Sequence, residues 1–262
     1  MNLKLTPKLA TKYVALIAIF SALYAILRYV PLGPMIGMPA TFSFSDALAP
    51  LLGIILGPFA GGISVIIGTF AAAALGKPLM FLGLDFLPAF VNCIAMGLLI
   101  KRKWVPVVAL YAVLLGIFLV SPYTLVMVQV GSLAIPFVWL HIVALIVLLS
   151  PLRTKAVDNI RKFNIPRLTL SLAVLVFIGT MLQHLTGNLL FQLILGPPIG
   201  NWTISQFATT WTLAFYAYPF ERMLMVIIAV IIGVPLIVAI KKSMLPFETP
   251  MSEKEKAKKA YA

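Results

Sequence analysis

The stretch "YAYPFERMLMVIIAVIIGVPLIVAI", residues 216–240, places two adjacent opposite charges, Glu221 and Arg222, before a long apolar run. The run is about twenty residues long, enough to cross the ~30 Å hydrocarbon core of a bilayer as a helix. This stretch therefore predicts a membrane-spanning helix near the end of the chain. It also raises the question of why such a helix carries both charges.

The composition of the whole chain agrees with this prediction. Hydrophobic residues make up 62% of the 262 residues and charged residues only 10%, whereas soluble domains carry about a quarter charged residues. We therefore expect an all-α integral membrane protein with one transmembrane helical domain, residues 1–246, and a basic tail, residues 247–262. The single cysteine, Cys93, excludes an intrachain disulfide and a metal site built from cysteines.

Apolar segments recur along the chain and predict a polytopic bundle of about eight helices. The predicted segments are residues 11–30, 44–57, 58–75, 84–100, 104–121, 130–149, 168–195 and 219–240. The second segment is too short to span alone, at about 21 Å. Because Gly57-Pro58 separates it from the third segment, we expect the two to form one broken hairpin.

The distribution of charge predicts the orientation of the bundle. With the N-terminus inside, all but three of the 20 Lys and Arg residues fall on the inner side, as the positive-inside rule requires. We therefore expect both termini in the cytoplasm and a multi-pass protein of the cell membrane. The basic excess follows from this topology, so it does not indicate nucleic acid as a partner. The basic tail is expected either to rest on anionic membrane lipid or to be a plain disordered end. The charges left for the outer half are Arg28, Lys77, Arg222, Asp46, Asp85 and Glu221.

Several motifs in the first hundred residues and in the last helix occur in a particular order. The first segment contains "ALIAIFSALYA" (residues 15–25), in which Ala15, Ala18, Ala22 and Ala25 follow spacings of three and four and share one helix face. A Pro/Gly-rich loop, "VPLGPMIGMPATFSFSD", comes next, and the turn Gly57-Pro58-Phe59-Ala60-Gly61 follows the short second segment. The last helix begins with the Glu221-Arg222 pair and contains "GVPL", residues 233–236.

This order of motifs resembles the substrate-binding S components of energy-coupling factor (ECF) transporters. The resemblance covers about residues 11–103 and 215–242. It implies a substrate-capture subunit that binds a vitamin or vitamin precursor at the extracytoplasmic face. It also implies as partners a transmembrane coupling subunit, against which the alanine stripe would dock, and two ATPase subunits. S components have six helices, so eight segments imply a six-helix core with an extra pair among segments 5–7.

Polar side chains within apolar segments are costly in lipid and tend to mark functional sites. In the seventh segment His184, Asn188 and Gln192 are four residues apart and share one face. Other polar or aromatic residues occur at the same predicted outer level. The predicted substrate-binding residues are Asp85, Asn92, His184, Asn188, Gln192, Trp202, Trp211, Glu221 and Arg222. The loop "PLGPMIGMPATF" and the segment from Trp202 to Trp211 are predicted lids over the pocket.

Structural roles for the same residues remain open at this stage. The amides and His184 could simply bond neighbouring helices together, and the tryptophans could form an interfacial belt. Asp46 could cap a helix, Asp85 could begin one, and His141 could be a buried core residue. Pro219 is expected in the first turn of the last helix, where the helix dipole would favour Glu221. Arg222 would then require a partner.

The chain contains no phosphate-binding loop, no HExxH motif and no CxxC motif. We therefore expect a protein that is not an enzyme, with no catalytic residues, no metal and no cofactor. Two alternatives remain: a structural subunit of a larger membrane complex, and a membrane enzyme that acts on lipid-linked substrates through His184 and Glu221.

Overall fold

A computed structural model describes residues 7–242 of the chain, so the predicted tail, residues 247–262, lies outside the described residues. The described part is mostly helical, with eight helices and two short antiparallel hairpins. The helices are α1 Pro7–Leu27, α2 Phe44–Ala74, α3 Leu87–Ile100, α4 Val105–Val120, α5 Trp139–Leu149, α6 Pro151–Arg161, α7 Ile165–Leu195 and α8 Ile204–Lys242. The strands are β1 Pro31–Pro34 paired with β2 Thr41–Ser43, and β3 Met127–Val130 paired with β4 Leu133–Pro136.

Helix α2 is folded back on itself at Gly57, as the sequence predicts. Gly57 has φ 81° and ψ 174°, a backbone conformation that only glycine adopts without strain. A Cβ added at Gly61 would lie 2.7 Å from the carbonyl oxygen of Leu52, although nine residues of straight helix would separate them by about 13 Å. Predicted segments 2 and 3 are therefore the two arms of one helical hairpin.

Helix α3 packs against both arms of this hairpin at very close range. A Cβ added at Gly53 would lie 2.1 Å from the carbonyl oxygen of Cys93, and one added at Gly61 would lie 2.7 Å from its sulfur. A Cβ added at Gly97 would lie 2.3 Å from the backbone nitrogen of Pro58. Small residues at helix crossings allow backbones to approach in this way, and Cys93 is fully buried at this contact.

Three described helices, α2, α7 and α8, are long and apolar enough to cross a membrane, which is compatible with a helical membrane protein. Because α2 is folded at Gly57, its length does not measure a single span. Helix α8 exposes large apolar side chains such as Phe220 and Ile231, as a lipid-facing helix does. Helix α7 lies at the centre and contacts α2, α3, α4, α5, α6 and α8.

Two predicted elements differ in the structure. Residues 130–138 are not helical: Gly131, at φ 62°, turns the chain between β3 and β4, and β-branched residues favour these strands. Helix α6 replaces part of a predicted inner loop; Ser150 caps it through a bond from the Leu152 amide at 3.2 Å. The eight helices therefore do not correspond one to one to the eight predicted segments.

The last helix begins fifteen residues before the predicted start. Residues 204–218 contain no Gly or Pro, and Thr209 and Thr212 bond to carbonyl oxygens one turn earlier. Pro219 lies inside α8, a position that membrane helices tolerate. The dipole argument for Glu221 is therefore wrong, because Glu221 and Arg222 lie well inside the helix.

Candidate functional site

One cavity of about 240 Å³ lies between the β1–β2 hairpin, the two ends of α2, the loop before α3, and helices α7 and α8. Its volume is somewhat below the ~300 Å³ at which pockets for drug-sized ligands begin, so a small molecule fits it best. The charged and polar residues of its lining include Arg28, Ser43, Asp46, Lys77, Asp85, Gln183, His184, Asn188, Tyr218, Glu221 and Arg222. The apolar lining includes Met35, Phe42, Phe81, Phe191 and Trp211.

All the charged residues that the charge map assigns to the outer half line this cavity. They come from distant parts of the sequence and from different elements, yet the fold brings them together around one space. The six residues are Arg28, Asp46, Lys77, Asp85, Glu221 and Arg222. Charges among apolar helices are costly and tend to mark functional sites, so their convergence identifies the candidate site.

Two of the three acidic residues already have several hydrogen-bond donors. Asp46 accepts bonds from the Ser43 amide at 2.9 Å and from Gln183 Nε2 at 2.8 Å. It occupies the third position of α2 and not the N-cap, which is Ser43. Asp85 accepts bonds from the amides of Met80 and Phe81 at 2.7 and 3.0 Å, and so it shapes the loop before α3 and does not begin the helix itself.

The cationic residues are less well satisfied. Arg222 is 1% exposed, and its Nη2 lies 3.5 Å from Oε2 of Glu221. Its Nε and Nη2 atoms are buried and form no hydrogen bond, and the same is true of Nε of Arg28. The guanidinium of Arg222 lies over the Phe42 ring, 4.6 Å from its centroid. Such orphaned donors are costly unless a further group satisfies them.

A chain of hydrogen bonds connects the cavity with the buried interface of α3 and α7. Asn92 Nδ2 donates to Gln183 Oε1 at 2.7 Å, and Gln183 Nε2 donates to Asp46. Asn92 is fully buried and Gln183 is 4% exposed. Gln183 therefore holds Asp46 in place and connects α7 with the N-terminus of α2.

Two histidines and a tyrosine stack at the inner wall of the cavity. Nδ1 of His184 lies 3.2 Å from Nε2 of His141, and the two rings are nearly parallel. Tyr218 stacks on His184 and donates its hydroxyl hydrogen to the Phe137 carbonyl at 2.9 Å. His141 is fully buried, as the core-residue alternative expects, and its partner there is His184.

The structure brings some of the predicted binding residues to the cavity and separates others. Those that line it are Asp85, His184, Asn188, Trp211, Glu221 and Arg222. Asn92 lies behind Gln183, and Gln192 bonds to Thr124 at 2.7 Å outside the cavity. Trp202 does not line the cavity; it packs edge-on against Phe191, which does. The predicted lid "PLGPMIGMPATF" contains β1 and most of β2, and it does border the cavity.

A comparison with known protein families, curated proteins and solved structures finds no match. Among the described residues, no group of three or more His, Cys, Asp or Glu side chains could hold a metal ion.

Sequence reasoning did not assign Arg28, Asp46, Lys77, Gln183 or Tyr218 to the binding site. The charge map contained a signal for the first three, because it already left them on the outer side. Gln183 and Tyr218 have no such signal in the sequence. Gln183 lies next to the face chosen from His184, and Tyr218 belongs to the part of α8 that was predicted as loop.

The predicted docking stripe on α1 is divided by the structure. Ala15, Ala18 and Ala22 are exposed, whereas Ala25 is 5% exposed and packs inside the chain. Ser21 is also buried, and its carbonyl oxygen would lie 2.7 Å from a Cβ added at Gly68 of α2. One small-residue face therefore packs against α2 and the other remains free.

Replacing Gln183 with leucine is expected to lower the unfolding free energy by about 2 kcal/mol, because Asn92 loses its acceptor and Asp46 loses a donor. Thermal unfolding of the purified chain measures this loss. Gln192→Leu removes one buried bond on the same helix and is expected to cost less, about 1 kcal/mol. A Gln183 variant as stable as the Gln192 variant would contradict the proposed role of the chain of bonds.

Proposed function

We propose that the chain is the membrane-embedded substrate-capture subunit of an ECF-type importer, with its cavity open to the extracytoplasmic side. The observation that carries this proposal is the convergence of all the predicted outer charges on one small cavity with aromatic walls. A lipid-embedded protein has no structural need to gather six charged groups around one cavity. A pocket with apolar walls and a few convergent polar groups is what a small polar molecule requires.

The proposed orientation places both termini and nearly all basic residues in the cytoplasm of a multi-pass cell-membrane protein. The cavity then lies in the outer half, bordered by the β1–β2 hairpin as a lid. The cargo is a vitamin or vitamin precursor, and a coupling subunit with two ATPases drives its release inside. The free alanine face of α1, Ala15, Ala18 and Ala22, is the proposed docking surface for the coupling subunit.

The other two functions have less support. A purely structural subunit does not need a cavity lined by charges. An enzyme would use His184 and Glu221 as acid and base, and both line the cavity, but Nδ1 of His184 is already bonded to His141. No hydrogen bond joins His184 to Glu221 among the described residues.

Ligand binding tests the proposal directly. The purified full-length chain is heated with each of a panel of B-group vitamins and their precursors. We expect one compound to bind with nanomolar affinity and, at a hundred times its Kd, to raise the unfolding free energy by about 2.7 kcal/mol. Co-purification from native membranes should recover a coupling subunit and ATPases.

A pair of tryptophan variants provides the control. Trp211→Ala removes a ring from the cavity wall and should weaken binding of that compound, whereas Trp104→Ala removes an exposed ring outside the cavity and should not. Absence of any ligand, with co-purification in a complex that lacks ATPases, would favour the structural subunit instead.

A further inference from the structure

The buried polar atoms of the cavity that lack a hydrogen-bond partner in the described part of the chain are all donors. Among the described residues, several buried polar atoms form no hydrogen bond, and those that belong to cavity-lining residues are all nitrogen donors. They are Nε of Arg28, Nδ2 of Asn188, and Nε and Nη2 of Arg222. A ligand that satisfies them must supply acceptor oxygens.

The acidic side of the cavity is largely occupied by the protein itself. Asp46 and Asp85 each accept at least two hydrogen bonds from nearby amide groups. Glu221 is the remaining carboxylate. Its Oε2 lies 3.5 Å from Nη2 of Arg222, and its side chain is 22% exposed, compared with 1% for Arg222. The cavity therefore has little to offer the cationic group of a ligand.

The two orphaned nitrogens of Arg222 are the ones that form one edge of the guanidinium. Nε and Nη2 point their hydrogens in nearly the same direction, and this fork matches the two oxygens of a carboxylate. Phe42 covers the flat face of the guanidinium but leaves the donors in the plane of the group free. Glu221 approaches only Nη2, at 3.5 Å, which is too long for a strong hydrogen bond, and it leaves Nε of the fork without a partner.

We propose that the ligand of this cavity is a small monocarboxylate with a flat apolar body, and that the Arg222 fork binds its carboxylate. This inference rests on the proposed function and specifies its substrate class. The rings of Phe191, Trp211 and Tyr218 line the same cavity as Arg222 and supply apolar walls for the flat body. The six charged side chains of the lining have a net charge of zero. A monocarboxylate therefore adds less uncompensated charge to the cavity than a dicarboxylate would.

The fork is shielded from solvent in the free protein, so binding includes a small movement of a neighbouring side chain. Phe42 is half-buried on the short strand β2 and lies directly against the guanidinium. Rotamer changes of this kind are common when ligands bind.

Matched acids, amides and amines test the inference with the purified full-length chain. The probes are benzoate, benzamide and benzylamine, together with indole-3-acetate, indole-3-acetamide and tryptamine, and ligand-observed NMR measures their binding at neutral pH. We expect each acid to bind about tenfold or more tightly than its amide, as a charge-assisted bond requires. The amine should bind most weakly of each set.

Variants locate the effect at the fork. Arg222→Gln should reduce the preference for acid over amide to about one, and Arg167→Gln, which changes an exposed arginine outside the cavity, should preserve it. Because Arg222 also pairs with Glu221 and packs on Phe42, thermal unfolding of both variants shows whether each one is folded before binding is compared. If Arg222→Gln does not fold, the preference of the unmodified chain for acid over amide still decides the question.

Every outcome separates this inference from the proposed function. Equal binding of acid and amide, a preference for the amine, or no binding of any probe at millimolar concentration overturns the carboxylate. None of these results changes the outcome of the vitamin panel, so the proposed capture of a small molecule could still hold for a ligand that is not a carboxylate. An unchanged acid preference in Arg222→Gln would overturn the role of the fork.

Discussion

Replacing Gly97 with alanine is expected to lower the unfolding free energy by about 3 kcal/mol or more, or to prevent accumulation of folded protein. The added Cβ would lie 2.3 Å from the backbone nitrogen of Pro58 and 2.7 Å from its Cα. Real Cβ atoms do not approach backbone this closely, and a backbone cannot rotate away as a side chain does. Helix α3 would have to move away from the tip of the α2 hairpin, and contacts along both arms would be lost.

Unfolding of the purified protein, followed by circular dichroism, measures this effect, and Gly116→Ala is the matched control. Gly116 also lies inside a helix, α4, but a Cβ there would meet nothing within 4 Å. Alanine favours helix by up to about 1 kcal/mol over glycine, so the control should be as stable as the unmodified protein or more stable. Equal stability of the two variants would show that the α2–α3 contact is looser than described.

The hairpin at Gly57 shows what sequence reasoning could predict about the fold. The second segment was too short to span a bilayer, and a Gly-Pro pair separated it from the third, so only a break fitted both facts. The contact with α3 had no comparable signal. Gly53, Gly61 and Gly97 are separate glycines in apolar segments. Only the fold shows that all three lie where α2 and α3 pack against each other.

The start of α8 shows the opposite case. Pro219 in the middle of residues 216–222 predicted a helix start, because proline disfavours the interior of a helix. In a long apolar helix the neighbouring structure satisfies the freed carbonyl group, and fifteen residues before the proline are also helical. Most of the predicted lid from Trp202 to Trp211 is therefore helical, and Trp211 and Tyr218 both reach the cavity from α8.

The charge map predicted more of the site than the polar pattern of α7 did. Charged groups in lipid are costly wherever they lie, so the few that break the inner bias had to share an environment. Spacing along α7 identified one face only, whereas this central helix is surrounded by neighbours. Gln183 lies on a neighbouring face of α7, where it is buried and bonded to Asp46. Gln192, further along the face of His184, bonds to Thr124 outside the cavity.

Replacing Ala22 with tryptophan is expected to abolish uptake while ligand binding by the purified chain stays unchanged. Ala22 is exposed on the free face of α1, beside Ala18, and it does not line the cavity. A stripe of alanines allows another helix to approach closely, and a large ring in its centre would hold that helix away. Substrate capture needs only the cavity, but release into the cell needs the coupling subunit.

Uptake of the compound found in the vitamin panel, in cells that supply the coupling subunit and the ATPases, measures the first effect. Binding to the purified variant measures the second. Ile227→Trp is the matched control, because Ile227 is 55% exposed on α8 and a ring there should meet only lipid. Normal uptake by the Ala22 variant would contradict docking at this stripe, and loss of binding together with uptake would assign Ala22 a structural role. Only a variant that binds its ligand but does not transport it separates the cavity from the coupling surface, and the exposed alanines of α1 are where the sequence predicts such a surface.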